Sequence, residues 1–184
     1  MQDPNSQAYF EHVVIEAVKR GMTVNDAKTG LLCFSAAKSF TAGASLCTRD
    51  GGQVSWKETL KVFGFTFDSD AGCSTHEERI AARMRSRSWA LQKLKRYGFS
   101  TTDLISIYTS YMRPLVEYVS VVWHSMLTAE QSAFLEKQQT LALRNIFGYR
   151  PSAAKMRSLA GIDLLQTRRV EACKIFANKA LSNP

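Results

Sequence analysis

The stretch GMTVNDAKTGLLCFS, residues 21–35, decides how this chain begins to fold. It opens on a glycine able to end a helix, passes through Asn25 and Lys28-Thr29 in a short polar connection, and closes on the apolar run Leu31-Leu32-Cys33-Phe34. A helix that stops, turns and becomes a strand is the local pattern of an α+β unit. Upstream, residues 6–20 bring Tyr9, Phe10, Val13, Val14, Ala17 and Val18 onto one helical stripe, with Ser6 as the cap and Gly21 as the stop. Downstream, strands are predicted over 30–35, 44–48, 53–56 and 59–68, with Asp50-Gly51-Gly52 as a tight turn between the second and third. Within the last of these, Val62 to Phe67 reads as a well-buried strand with its phenylalanines packed and Gly64 marking the close approach of another backbone or a ligand.

From Ser74 the apolar period becomes helical, which places a boundary near Ser69 to Thr75 and divides the chain into segments 1–70 and 71–184. Helices are predicted over 75–96, from a cap at Thr101 or Thr102 to an interruption at Arg113-Pro114, over 128–148, over 152–160 and over 163–181. Thr128 and Gln131 fit a capping box, and the helix behind them carries an apolar stripe of Phe134, Leu135, Leu141, Ala142 and Ile146. Tyr118, Trp123, Phe134 and Phe147 read as aromatic core. The fold class is therefore α+β: a small, mainly antiparallel sheet with a helix, followed by an all-helical bundle.

Charge is unevenly spread. The net charge is +8, yet residues 1–70 hold 7 basic and 8 acidic groups while 71–184 hold 17 and 8. Such asymmetry favours a polyanionic partner, because cations that neutralise phosphates release counterions. A solvated basic helical surface is the plainer reading of the same numbers. Cys33, Cys47, Cys73 and Cys173 lack metal-ligand spacing and read as reduced, mostly buried thiols; His12, His76 and His124 show no catalytic or metal partner. No apolar run approaches the roughly 18 residues of a membrane span, and the first residues lack a signal-peptide pattern, so an intracellular, cytoplasmic or nuclear protein without a membrane partner is expected.

Two basic clusters stand out. On the 75–96 helix, Ile80, Met84, Leu91 and Leu94 fall on one side, while Arg79, Arg85, Lys93 and Arg96 share the other with Trp89. Cations around an aromatic suit a nucleic-acid strand, although Trp89 reads as packed beneath a neighbour. Arg144, Arg150, Lys155 and Arg157 gather around Gly148 and Pro151, and Arg168-Arg169 extends the supply.

The order of these motifs resembles the late palm and thumb of reverse transcriptases of the non-LTR retrotransposon (LINE-like) kind. The resemblance runs through Gly21, Asn25, Lys28 and Thr29, then Lys61 to Asp68, then Pro114 to Tyr118 with Val122-Trp123, then Leu135-Glu136, Gln139, Ala142 to Arg144 and Gly148, and last Leu164-Leu165 with Arg168-Arg169. It implies an RNA/DNA template-primer duplex as partner, a primer-supporting role for Phe63-Gly64, and a general-acid role for Lys28 toward the departing pyrophosphate in the full enzyme. It also implies Mg2+ for that enzyme, held by carboxylates from segments upstream of residue 1, and an upstream polymerase fragment as a partner able to complete the site. Two-metal nucleotidyl transfer needs carboxylates that hold cations about 3.5 to 4 Å apart. Here no Asp-Asp pair occurs, and Asp68 and Asp70 read as solvated turn residues, so this chain calls for no cofactor of its own and should not polymerise nucleotides alone. The competing expectation is a protein-interaction module that docks through exposed helices or an unpaired sheet edge.

Overall fold

The computed structural model describes residues 4–34, 45–48 and 52–182. The fold is α+β and mostly helical, and the chain forms two compact units, Met1–Gly72 and Cys73–Pro184.

In the first unit, α1 (Pro4–Lys19) ends where the sequence says it should. Gly21 has φ 70°, which a residue without a Cβ adopts freely, and the last carbonyls are closed by Met22 N–H to Ala17 O (2.9 Å) and Gly21 N–H to Val18 O (3.0 Å). The start differs: α1 begins at Pro4, so Ser6 lies inside its first turn rather than capping it. The stripe is also narrower than its periodicity suggests, because Phe10, Val14 and Ala17 are half-buried while Tyr9, Val13 and Val18 face outward. A side-chain clamp ties α1 to β1 (Ser45–Cys47). The Gln7 amide accepts from Cys47 N–H (2.9 Å) and donates to Cys47 O (3.1 Å), satisfying both backbone groups of a strand residue from outside the sheet.

β1 pairs antiparallel with β2 (Gln53–Ser55), Leu46 opposite Val54. The predicted Asp50-Gly51-Gly52 turn lies largely outside the described residues, as do Ala44 and Ser35. The strand predicted over 30–35 is reduced to one parallel bridge, Leu31 to Trp56, with Lys57 N–H donating to Leu31 O (2.9 Å). The predicted 59–68 strand is a hairpin. β3 (Thr59–Val62) turns at Phe63-Gly64 into β4 (Phe65–Asp68), with Val62 opposite Phe65. Both turn residues have positive φ, 48° and 86°, the requirement of a two-residue type I′ turn whose twist matches that of the strands. Gly64 therefore provides the turn rather than room for a ligand.

In the second unit, α2 (Ser74–Arg96) and α6 (Ala129–Phe147) form the central pair. Their cross-links rise together along both helices: Gln131 to Ser74 Oγ, Asn145 to Ser88, Lys95 to Ile146 O. The two helices are thus parallel, and their C-terminal ends converge. Thr128 and Gln131 close the capping box at the start of α6 as the sequence requires, and Gly148 ends it. Leu135, Ala142 and Ile146 are fully buried, with Leu143 beside them, whereas Phe134 and Leu141 sit at the margin of the core.

α3 (Thr101–Ile107) is capped by Ser100, not by Thr101 or Thr102, because Ser100 and Asp103 form a reciprocal box one register earlier. Before Pro114 the helix does not break but widens into a π-turn over Tyr108–Met112, with Arg113 N–H reaching back to Tyr108 O (2.9 Å). Arg113 stays helical and Pro114 occupies the first position of α4 (Pro114–Glu117), where its missing N–H costs nothing. α5 (Ser120–Trp123), α7 (Ala153–Ala160) and α8 (Leu165–Ser182) complete the unit. Trp123 is buried in the core, while Tyr118 is exposed and Phe134 and Phe147 are at most partly covered. A buried amide fixes the middle of the unit: Gln139 Nε2 donates to Tyr108 OH and to Asp163 O, both at 3.1 Å.

Candidate nucleic-acid interface

Burial of Ile80, Ala81, Met84, Ser88 and Leu91 against the core fixes the rotation of α2. A step of 100° per residue then puts Arg85, Trp89, Lys93 and Arg96 within about 80° of one another on the opposite, outward face. All four are exposed. Trp89, expected to pack, is 58% exposed, because it lies on the side of the helix turned away from the core; the Lys93 ammonium lies over its ring at 3.9 Å. Arg79 sits about 40° further round, half-buried, and is engaged within the fold. It belongs to the flank rather than to the face.

The parallel arrangement of α2 and α6 makes the charge polar along the unit. Residues 79–102 contain seven basic and no acidic residues, and residues 137–162 five basic and none acidic. Glu77 and Glu130, by contrast, lie in the first turns of α2 and α6, and burial raises the Glu77 carboxyl above its usual range. Carboxylates at helix N-termini and cations at C-termini complement the helix dipoles. Four cations at one end nevertheless exceed two half-charges, so the end where α2 and α6 converge is strongly positive.

Arg144 lies in the last turn of α6, its guanidinium 5.6 Å from the exposed Tyr149 ring, and Arg150 follows, exposed. Among the described residues no acidic side chain pairs with Arg85, Lys93, Arg96, Arg144 or Arg150. Tyr97 and Phe99, which sequence reasoning passed over, add exposed rings just beyond α2. Their signal was available in the acid-free run that holds them.

One predicted contact is corrected. Arg169 is completely buried: its Nη2 donates to Ser132 Oγ (2.8 Å), its guanidinium lies 5.6 Å from the Trp123 ring centroid, and burial holds it below its ordinary pKa. The doublet hid its position on the core side of α8, because adjacent residues in a helix point about 100° apart. Arg168 is the outer member, and its Nε donates to Glu117, which raises its pKa. Burial, with Arg169 nearby, also lowers the His124 pKa.

In the first unit, Phe63 projects from the hairpin tip with 85% of its surface exposed, not packed as expected. Phe65 is the buried member of the pair, with its ring 4.5 Å edge-on from Phe67. Lys28 ends a single 3₁₀ turn, Asp26–Lys28, on the surface. Asn25 shapes that turn: its Oδ1 accepts Lys28 N–H (3.1 Å) and its carbonyl accepts the Thr29 hydroxyl (2.9 Å).

The two aspartates near the end of the first unit do not stand together as a carboxylate pair facing solvent. Asp68 is buried at the end of β4 rather than solvated, and Asp70 Oδ1 is taken by Gly72 N–H (2.8 Å). Among the described residues no three His, Cys, Asp or Glu side chains gather as metal ligands. The cysteines are free thiols, but only Cys73 is buried and Cys47 is exposed. No described helix is long and apolar enough to cross a membrane. Comparison with protein families, curated proteins and solved structures finds no match for the chain.

Proposed function

We propose that this chain is a nucleic-acid grip, the terminal palm and thumb portion of a non-LTR retrotransposon reverse transcriptase, which holds an RNA/DNA template-primer duplex. The observation that carries the reading is the unpaired face of Arg85, Trp89, Lys93 and Arg96, continued by Arg144 and Arg150. Such a face recognises the backbone and shape of a duplex rather than its sequence. Phe63 at the hairpin tip supplies an exposed ring for a primer end. On this reading the carboxylates for two-metal chemistry come from an upstream polymerase fragment, and Lys28 acts as proton donor only in that completed enzyme, in the cytoplasm or nucleus.

A labelled RNA–DNA primer-template, titrated by fluorescence anisotropy at several salt concentrations, tests this. Replacing Arg85 and Lys93 together by Gln should flatten the salt slope by up to about 1.8 units, at about 0.9 per phosphate contact. An unchanged slope defeats the proposed face.

A second reading has its own observation. Ile175, Phe176 and Leu181 on α8, and Tyr9, Val13 and Val18 on α1, are exposed apolar residues of the kind that mark protein contacts. Pairing with a polymerase fragment reconciles the two readings; a protein-interaction module without nucleic acid is what remains if no duplex binds.

A further inference from the structure

We infer that the cleft where α2 and α6 end takes an unpaired nucleic-acid strand, with Arg96 and Arg144 holding its phosphates and Tyr149 stacking one base. The inference rests on the nucleic-acid reading above and assigns a different part of the ligand, single strand rather than duplex, to this position.

The cleft is built before any ligand arrives. Lys95 Nζ donates to Ile146 O (2.7 Å), and Asn145 Nδ2 donates to Ser88 O (2.9 Å) and Ser88 Oγ (2.7 Å), so polar bonds lock the two helix ends together. Gln92, Lys95, Arg96, Arg144, Asn145 and Tyr149 line a space of about 330 Å³. No acidic side chain lines it. Lys95 is occupied by Ile146, which leaves the guanidinium groups of Arg96 and Arg144 to a ligand.

Size and chemistry narrow the occupant. Ligand-binding clefts begin at roughly 300 Å³, so this open one of about 330 Å³ has room for a nucleotide-sized group. Compact phosphates favour helix N-termini, where backbone donors point outward. Here two helix C-termini present carbonyls instead, so an anion is held only at the guanidinium tips. An extended strand meets that condition, because its phosphates are single and spaced.

The aromatic faces decide between an acidic peptide and a nucleic acid. Gly148, at φ 87°, turns the chain out of α6 and leaves Tyr149 73% exposed beside Arg144. Tyr97 is exposed at the end of α2, and Trp89 lies two turns earlier. The exposed Tyr97 and Tyr149 rings, interleaved with the cations Arg96 and Arg144, match a chain that alternates bases and phosphates. In a duplex the base faces are hidden by stacking, and these rings would find no partner.

Three labelled probes test the inference on the full chain: a blunt RNA–DNA duplex, the same duplex with an overhang of about eight nucleotides, and the overhang strand alone. The overhang should raise affinity by about tenfold over the blunt duplex. Tyr149→Ala should remove that gain and leave blunt-duplex binding unchanged, and Arg144→Gln should lower the salt slope for the single strand by about 0.7. Circular dichroism of both variants should match the parent, since neither side chain is in the core. Equal affinity for blunt and overhanging duplexes, or an overhang gain that survives Tyr149→Ala, overturns this inference while the duplex grip stands. Displacement of the overhang by poly-glutamate as readily as by unlabelled strand also overturns it. Binding of none of the probes overturns both this inference and the grip.

Discussion

Phe63→Asn separates the hairpin turn from the buried strand that the sequence suggests. At φ 48° an L-residue with a bulky side chain is strained by about 1 to 2 kcal/mol, and Asn tolerates this region far better. Because Phe63 is 85% exposed, the loss of its contacts is small. With about 200 Å² of aromatic surface, the covered fraction is about 30 Å², equivalent to roughly 0.8 kcal/mol. The two terms leave the substitution between neutral and about 1 kcal/mol stabilising, and Asn-Gly is the preferred pair for this turn. A phenylalanine removed from a buried strand would instead cost about 3 to 5 kcal/mol. Amide hydrogen exchange of β3 and β4 reads the difference within the first unit without assuming that both units unfold together. Protection that falls by the equivalent of about 2 kcal/mol or more refutes the turn geometry. The same variant should bind primer-template less tightly, so stability and affinity are expected to move in opposite directions.

Two further outcomes follow from the second unit. Burial pushes the Tyr108 phenol from 10.0 up to about 12; a value raised on folding means that its contribution is intact below pH about 10 and is lost as pH rises toward 12, so the urea midpoint should fall between pH about 10 and 12 in the parent and fall less in Tyr108→Phe. Arg169→Met removes a buried cation with one hydrogen bond to Ser132 and no acidic partner within salt-bridge distance among the described residues, and thermal unfolding should show a neutral change or a gain of about 1 to 4 kcal/mol, with a loss above about 2 kcal/mol refuting the assignment.

The helical part of this chain was legible because its signals are local. Thr128-x-x-Gln131 and Gly148 each act through bonds within four residues, and each acts as read, whereas Pro114 widens the helix before it instead of interrupting it. The sheet was less so, because Val62 to Phe67 is largely apolar and carries no clear alternation to show where the chain reverses. Phe63 is a poor residue for positive φ, so the only turn signal was Gly64, and a glycine inside an apolar run marks a bulge or a close backbone approach as readily as a reversal. Register on the surface failed for a related reason. Arg168 and Arg169 are chemically equal in sequence, and only the packing of α8 on Trp123 distinguishes the buried one from the outer one. Trp89 was misplaced because its size argues for burial, whereas the wheel position it occupies was already assigned to the cationic side.

That last conflict bears on function. A surface helix that only needs solubility is served by Glu, Lys, Gln or Ala at its outward positions, and alternating signs would add i,i+4 pairs. α2 does otherwise after Glu78. It carries seven cations, no anion and a tryptophan more than half exposed from there to its end, and so forgoes the intrahelical ion pairs that alternating signs would have formed. Like charges at that spacing repel, and an anion from outside that enters the face relieves the repulsion. The outward face of α2 is thus less stable alone than it could be and gains from a polyanion, so the composition of this helix supports the proposed nucleic-acid grip more directly than net charge does.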